Sequence, residues 1–126
     1  MEHPIVQKIL KDGINSVNLS MLDEKARRNI LTDVGEKLYK QGRLMEAIEI
    51  LSKSGDNERL QKLGELFISE GKIEAATLCF MALRDREKLN VLAVSCIERK
   101  NYSLAAKAYE AADNQQMAHF IRQNFC

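Results

Sequence analysis

Any metal or nucleophilic site in this chain would have to be built from two histidines, His3 and His119, and three cysteines, Cys79, Cys96 and Cys126. Metal sites need ligands at short, repeated spacing, such as Cys-x-x-Cys. Neither histidine has a second ligand so placed, and no two cysteines are separated by only two residues. The thiols are therefore expected to be reduced and to favour burial. Cys126 is expected to be the exposed one, open to oxidation, and His119 to lie on the surface or be partly packed. No serine, histidine and acid combine as nucleophile, base and orienting group. The glycine spacings 35/42 and 64/71 do not make a phosphate-cradling loop. The residues thus predict no catalytic site, no metal and no cofactor, and hence a protein that is not an enzyme. Tyr39, Tyr102 and Tyr109 could stack on nucleic-acid bases. Tyr102 and Tyr109 fall at apolar repeat positions, which leaves Tyr39 as the expected exposed contact.

The chain has 126 residues, enough for a single domain with a continuous core, read over 1–126. Hydrophobic residues make up 45% and charged residues 29%, as in ordinary globular proteins. The net charge is +1 and stays nearly flat along the chain, without the basic stripe of a nucleic-acid binder. Nucleic acid is therefore an unlikely partner. If it were bound, Lys25, Arg27, Arg28 and the charged turn Arg84-Asp85-Arg86-Glu87-Lys88 would carry it. No apolar run reaches the roughly 20 residues of a membrane-spanning helix. The first residues do not read as a secretion signal. A cytoplasmic protein without membrane insertion is expected.

The elements that must position any site are helices throughout. Residues 1–19 form an N-terminal cap, with Pro4 in a first turn, a stripe of Ile5, Val6, Ile9 and Leu10, and a polar turn after Gly13. Ser20, followed by Asp23 and Glu24, suggests a capping box opening a long helix from about Met21 to Gln41. Its stripe is Leu22, Ala26, Ile30, Val34 and Leu38. Gly42 should close it in a left-handed C-cap. Asp56, Asp85 and Asn114 are expected N-caps of later helices.

One phrase is written nearly three times. Gly35–Leu51, Gly64–Phe80 and Ala93–Tyr109 share an outline, each starting 29 residues after the last. A glycine inside a helix costs roughly 1 kcal/mol against alanine. Gly35 and Gly64 there imply close approach of a neighbouring helix. Gly42, Gly71 and Lys100 occupy the turn, where Asn101 could take the left-handed conformation in place of a glycine. Ala47, Ala76 and Ala105 are small sites facing the large residues Leu51, Phe80 and Tyr109. One such helix pair cannot bury both faces, so neighbours must stack. The expected fold is all-α: a right-handed α-α solenoid of about three helix-hairpin repeats over 20–112. A C-terminal capping helix follows over 113–126.

Gly64, Phe67, Gly71, Ile73 and Ala76 stand at the small, large, turn-glycine, aromatic and alanine positions of tetratricopeptide-type repeats. Gly35, Leu38, Gly42, Leu44 and Ala47 do likewise, and Ala93, Cys96, Lys100, Tyr102 and Ala105 more loosely. The usual repeat is about 34 residues. The shorter period and phrases such as AAKAYEAADN are similar to the α-solenoid segments of coatomer, clathrin and intraflagellar-transport proteins. That resemblance implies a scaffold or interaction module that binds a protein or peptide. By the same analogy the concave lining would be Asn29, Thr32, Glu36, Tyr39, Gln61, Glu65, Ile68, Asn90, Val94 and Ile97. This mixed, partly acidic set disfavours a C-terminal carboxylate as ligand. Met117, Phe120 and Phe125 form an expected exposed face through which copies could self-associate.

Overall fold

The computed structural model describes residues 3–126. Met1 and Glu2, the start of the expected N-terminal cap, lie outside the described residues. Among those described there are eight α-helices, one 3-10 turn at Ile14–Ser16, and no strand. The helices are α1 (Pro4–Asp12), α2 (Glu24–Lys40), α3 (Leu44–Ser54), α4 (Asn57–Ser69), α5 (Ile73–Leu83), α6 (Arg86–Glu98), α7 (Tyr102–Ala111) and α8 (Gln115–Phe125). The chain divides into two compact units, Met1–Leu60 and Gln61–Cys126, with the division inside α4.

In the first unit, α1 packs on α2, and α2 on α3. Their core is Val6 and Ile9 from α1, Leu31, Val34 and Leu38 from α2, and Ala47 and Ile50 from α3. His3 caps α1, its Nδ1 accepting from the Ile5 N–H at 3.0 Å. The start of α2 differs from the sequence expectation. Asp23, not Ser20, is the N-cap, its carboxylate accepting from the Ala26 N–H at 2.7 Å. The Ser20 hydroxyl and N–H both donate to the Asn18 side-chain oxygen, at 2.6 and 3.0 Å, so Ser20 is already engaged in a local turn. The helix then runs unbroken past Asp33, which pairs with Lys37 one turn on.

In the second unit, α5 packs on α6, α6 on α7, and α7 on α8. Phe67, Phe80, Leu89 and Cys96 are fully buried, with Ala76, Ala93 and Ala105 among them. Asp85 and Asn114 cap α6 and α8 through the N–H groups of Lys88 and Met117.

The two helical glycines are contact points. A Cβ added to Gly35 would lie 2.6 Å from Leu51 Cγ, and one on Gly64 would lie 2.8 Å from Phe80 Cε2. Each large partner stands 16 residues after its glycine. The turns also recur in kind. Gly42, Gly71 and Lys100 have φ of 78°, 75° and 63°, and Gly55, Arg84 and Asp113 have 77°, 55° and 58°. After the first set, the N–H groups of Arg43, Lys72 and Asn101 donate back to the carbonyls of Leu38, Phe67 and Cys96 at 2.8–2.9 Å. At the third turn Lys100 itself is left-handed, rather than Asn101. The Asn101 side chain accepts from the Leu104 N–H as the N-cap of α7, which requires a non-helical, negative-φ backbone there.

Candidate protein-interaction surface

The candidate lining residues separate by unit. In the first, Asn29 is exposed, while Thr32, Glu36 and Tyr39 are half-buried. The Thr32 hydroxyl donates to Asp56 Oδ2 at 3.4 Å, while Asp56 Oδ1 caps α4 through the Arg59 N–H. Glu36 is ion-paired with Arg59. Tyr39 packs against the apolar core rather than standing clear as an exposed contact. Three of these four residues therefore contribute to holding helices together.

In the second unit, Gln61, Glu65 and Val94 are exposed, and Ile68, Asn90 and Ile97 half-buried. Glu65 pairs with Lys88 at 3.6 Å, and Asn90 accepts from the Asn114 amide at 3.2 Å. These contacts follow the sequence register. Glu36–Arg59 and Glu65–Lys88 are the same two positions 29 residues apart, and Thr32–Asp56 and Asn90–Asn114 are the same two positions 58 apart. The next members of the Glu–basic series are Val94 and Met117, where the charges are replaced by apolar residues.

That replacement is part of a broader change. Residues 33, 62, 91 and 120 are one register position, read as Asp33, Lys62, Val91 and Phe120. Val91 is 67% exposed, Val94 47% and Phe120 51%. Val91 was missed among the sequence candidates, although the register comparison carried the signal. Phe120 and Phe125 are exposed as expected, and Met117 is half-buried. Phe125 stacks on Tyr102 with ring centroids 4.7 Å apart, and Phe120 meets Phe125 edge-on at 6.3 Å. Tyr102 is thus a half-buried stacking partner, not a core residue like Tyr109.

Of the six basic residues that would carry a nucleic acid, three are engaged, while Lys25, Arg27 and Arg84 are exposed and make no ion pair among the described residues. Arg28 approaches Glu24 at 4.0 Å, Arg86 pairs with Asp113, and Lys88 with Glu65. Lys88 also lies 5.5 Å from the Phe80 ring centroid. A cleft of about 220 Å³ in the first unit is lined by Ile9, Ile14, Leu38 and Ile50 together with Arg43, Asp12, Glu46 and Glu49. Arg43 forks onto Glu46, which raises its own pKa and lowers that of the carboxyl through the shared hydrogen bond. Asp12 and Glu49 are paired with Lys8 and Lys53. The charges at this cleft balance within the protein.

Cys79 and Cys96 are buried free thiols and Cys126 is exposed. Burial pushes the Cys79 thiol up to about 12. Cys96 is raised by burial as well, against the opposing contact of the Thr77 hydroxyl at 3.6 Å. Neither is a thiolate nucleophile at neutral pH. Among the described residues no group of three His, Cys, Asp or Glu has the geometry to hold a metal ion. Among the same residues no helix is long and apolar enough to cross a membrane. Comparison with protein-family models, curated proteins and solved structures gave no match to this chain.

Proposed function

We propose that the chain is a protein-interaction module, a scaffold built on a 29-residue helical-hairpin repeat of the solenoid kind, similar to tetratricopeptide-type repeats. It binds a protein or peptide partner through the exposed faces of α6 and α8 and carries out no reaction of its own. The repeat reading is supported by the recurring left-handed turns and by the matched Gly35–Leu51 and Gly64–Phe80 contacts. The functional reading rests on one observation. Where earlier register positions carry Asp33, Glu36, Lys62 and Glu65, the second unit exposes Val91, Val94 and Phe120. Exposed large apolar residues at positions that are charged in the earlier copies are characteristic of interaction surfaces. Buried, protonated Cys79 and Cys96 suit a reducing, cytoplasmic setting.

Self-association is the second reading, favoured by the partly exposed Tyr102–Phe125–Phe120 aromatic group. Photo-crosslinking separates the two. A photo-reactive phenylalanine analogue at position 94 should join a discrete heterologous protein in extract from the source cells. The same analogue at position 49 should not. Adducts containing only a second copy would favour self-association, and no position-dependent adduct would refute both.

A further inference from the structure

We infer that the exposed stripe Glu87–Val91–Val94–Glu98 on α6 selects a basic amphipathic helix as its occupant, an inference that rests on the interaction reading above. The four residues stand at i, i+4, i+7 and i+11, so they share one face of the helix. At 1.5 Å per residue the two carboxylates are about 16 Å apart along the axis. All four side chains are exposed.

The charge on this stripe is what commits it to an occupant. On α6, Arg86 is paired with Asp113 and Lys88 with Glu65, and just past its end Arg99 reaches Glu74 and the Gly71 carbonyl. Lys62, on α4, also has a partner. Among the described residues, Glu87 and Glu98 have no ion-pair or hydrogen-bond partner, and they bracket the two valines. An apolar segment covering Val91 and Val94 brings its flanks against both carboxylates. Acidic flanks are repelled there, whereas lysine or arginine spaced about three turns apart on a helix pairs with each. The same carboxylates disfavour anionic surfaces, nucleic acid and acidic membranes included.

The test uses three designed helical peptides with one leucine stripe, differing only in lysine, glutamine or glutamate at the two flanking positions. Fluorescence anisotropy with the full chain reads their binding at low and high salt. The lysine peptide should bind about tenfold more tightly than the glutamate peptide at low salt, and the gap should narrow at high salt. Glu87→Gln with Glu98→Gln should bring the three affinities together, and Val91→Ser with Val94→Ser should abolish binding of all of them. Equal affinities for the wild type, a lysine preference that survives the glutamine variants, or no peptide binding would overturn the inference. A heterologous adduct at position 94 alongside equal peptide affinities would leave the interaction reading intact and remove only the charge selection.

Discussion

Gly64 and Phe80 show how single residues set this packing. The ring edge of Phe80 occupies the space where any other residue at 64 would place its Cβ, with Cys79 Cβ only 3.1 Å away on the same side. An aromatic ring cannot yield as the end of a flexible side chain can. Gly64→Ala gains roughly 1 kcal/mol of helix propensity but overpacks the contact by about 1–3 kcal/mol. A net loss on the order of 1 kcal/mol is expected in denaturant melts. Phe80→Ala should cost about 3–5 kcal/mol, because Phe80 is fully buried. A stabilised Gly64→Ala variant would contradict the contact. The cysteines give a second residue-scale test. Cys79 keeps its proton up to about pH 12 in the folded chain, against an ordinary value of 9.0. Between these pH values the unfolded chain has lost a proton that the folded one retains, so stability falls as pH rises through that window. Cys79→Ala should flatten the fall. In the native state at neutral pH, a thiol reagent should titrate Cys126 alone, with Cys79 and Cys96 reacting only on unfolding.

At the scale of the element, caps decide where each helix begins. Asp56, Asp85 and Asn114 were legible as N-caps because the signal is local: a short polar side chain reaching an N–H three residues on. The start of α2 was misread because two plausible caps compete there. The choice turns on Asn18, which takes both hydrogen bonds that Ser20 can donate. Asp23→Ala should therefore cost about 1 kcal/mol, and Ser20→Ala much less, by thermal or denaturant melting. Equal losses would return the cap to Ser20. At Lys100 the turn geometry outweighed residue preference: the left-handed position must precede the N-cap, and Asn101 is the better cap.

For the whole molecule, the helices and most of their buried stripes could be read from periodicity, glycines and caps, all of them short-range signals. The candidate surface could be read only in part. Glu36, Glu65, Thr32 and Asn90 look like free polar lining in the sequence, yet their partners stand 23 or 24 residues away and take up that capacity. Val91 does not stand out within its own helix, and becomes conspicuous only when its register mates Asp33 and Lys62 are set beside it. On the proposed function, the repeated residues serve packing and the residues that differ between copies serve binding. One paired measurement on Val91→Ser with Val94→Ser tests that division most directly, following both the unfolding midpoint and the yield of the partner captured from source-cell extract. Both side chains are exposed, so stability should stay within about 0.5 kcal/mol of wild type while partner yield falls about tenfold or more. Undiminished capture by a stably folded variant would contradict the account.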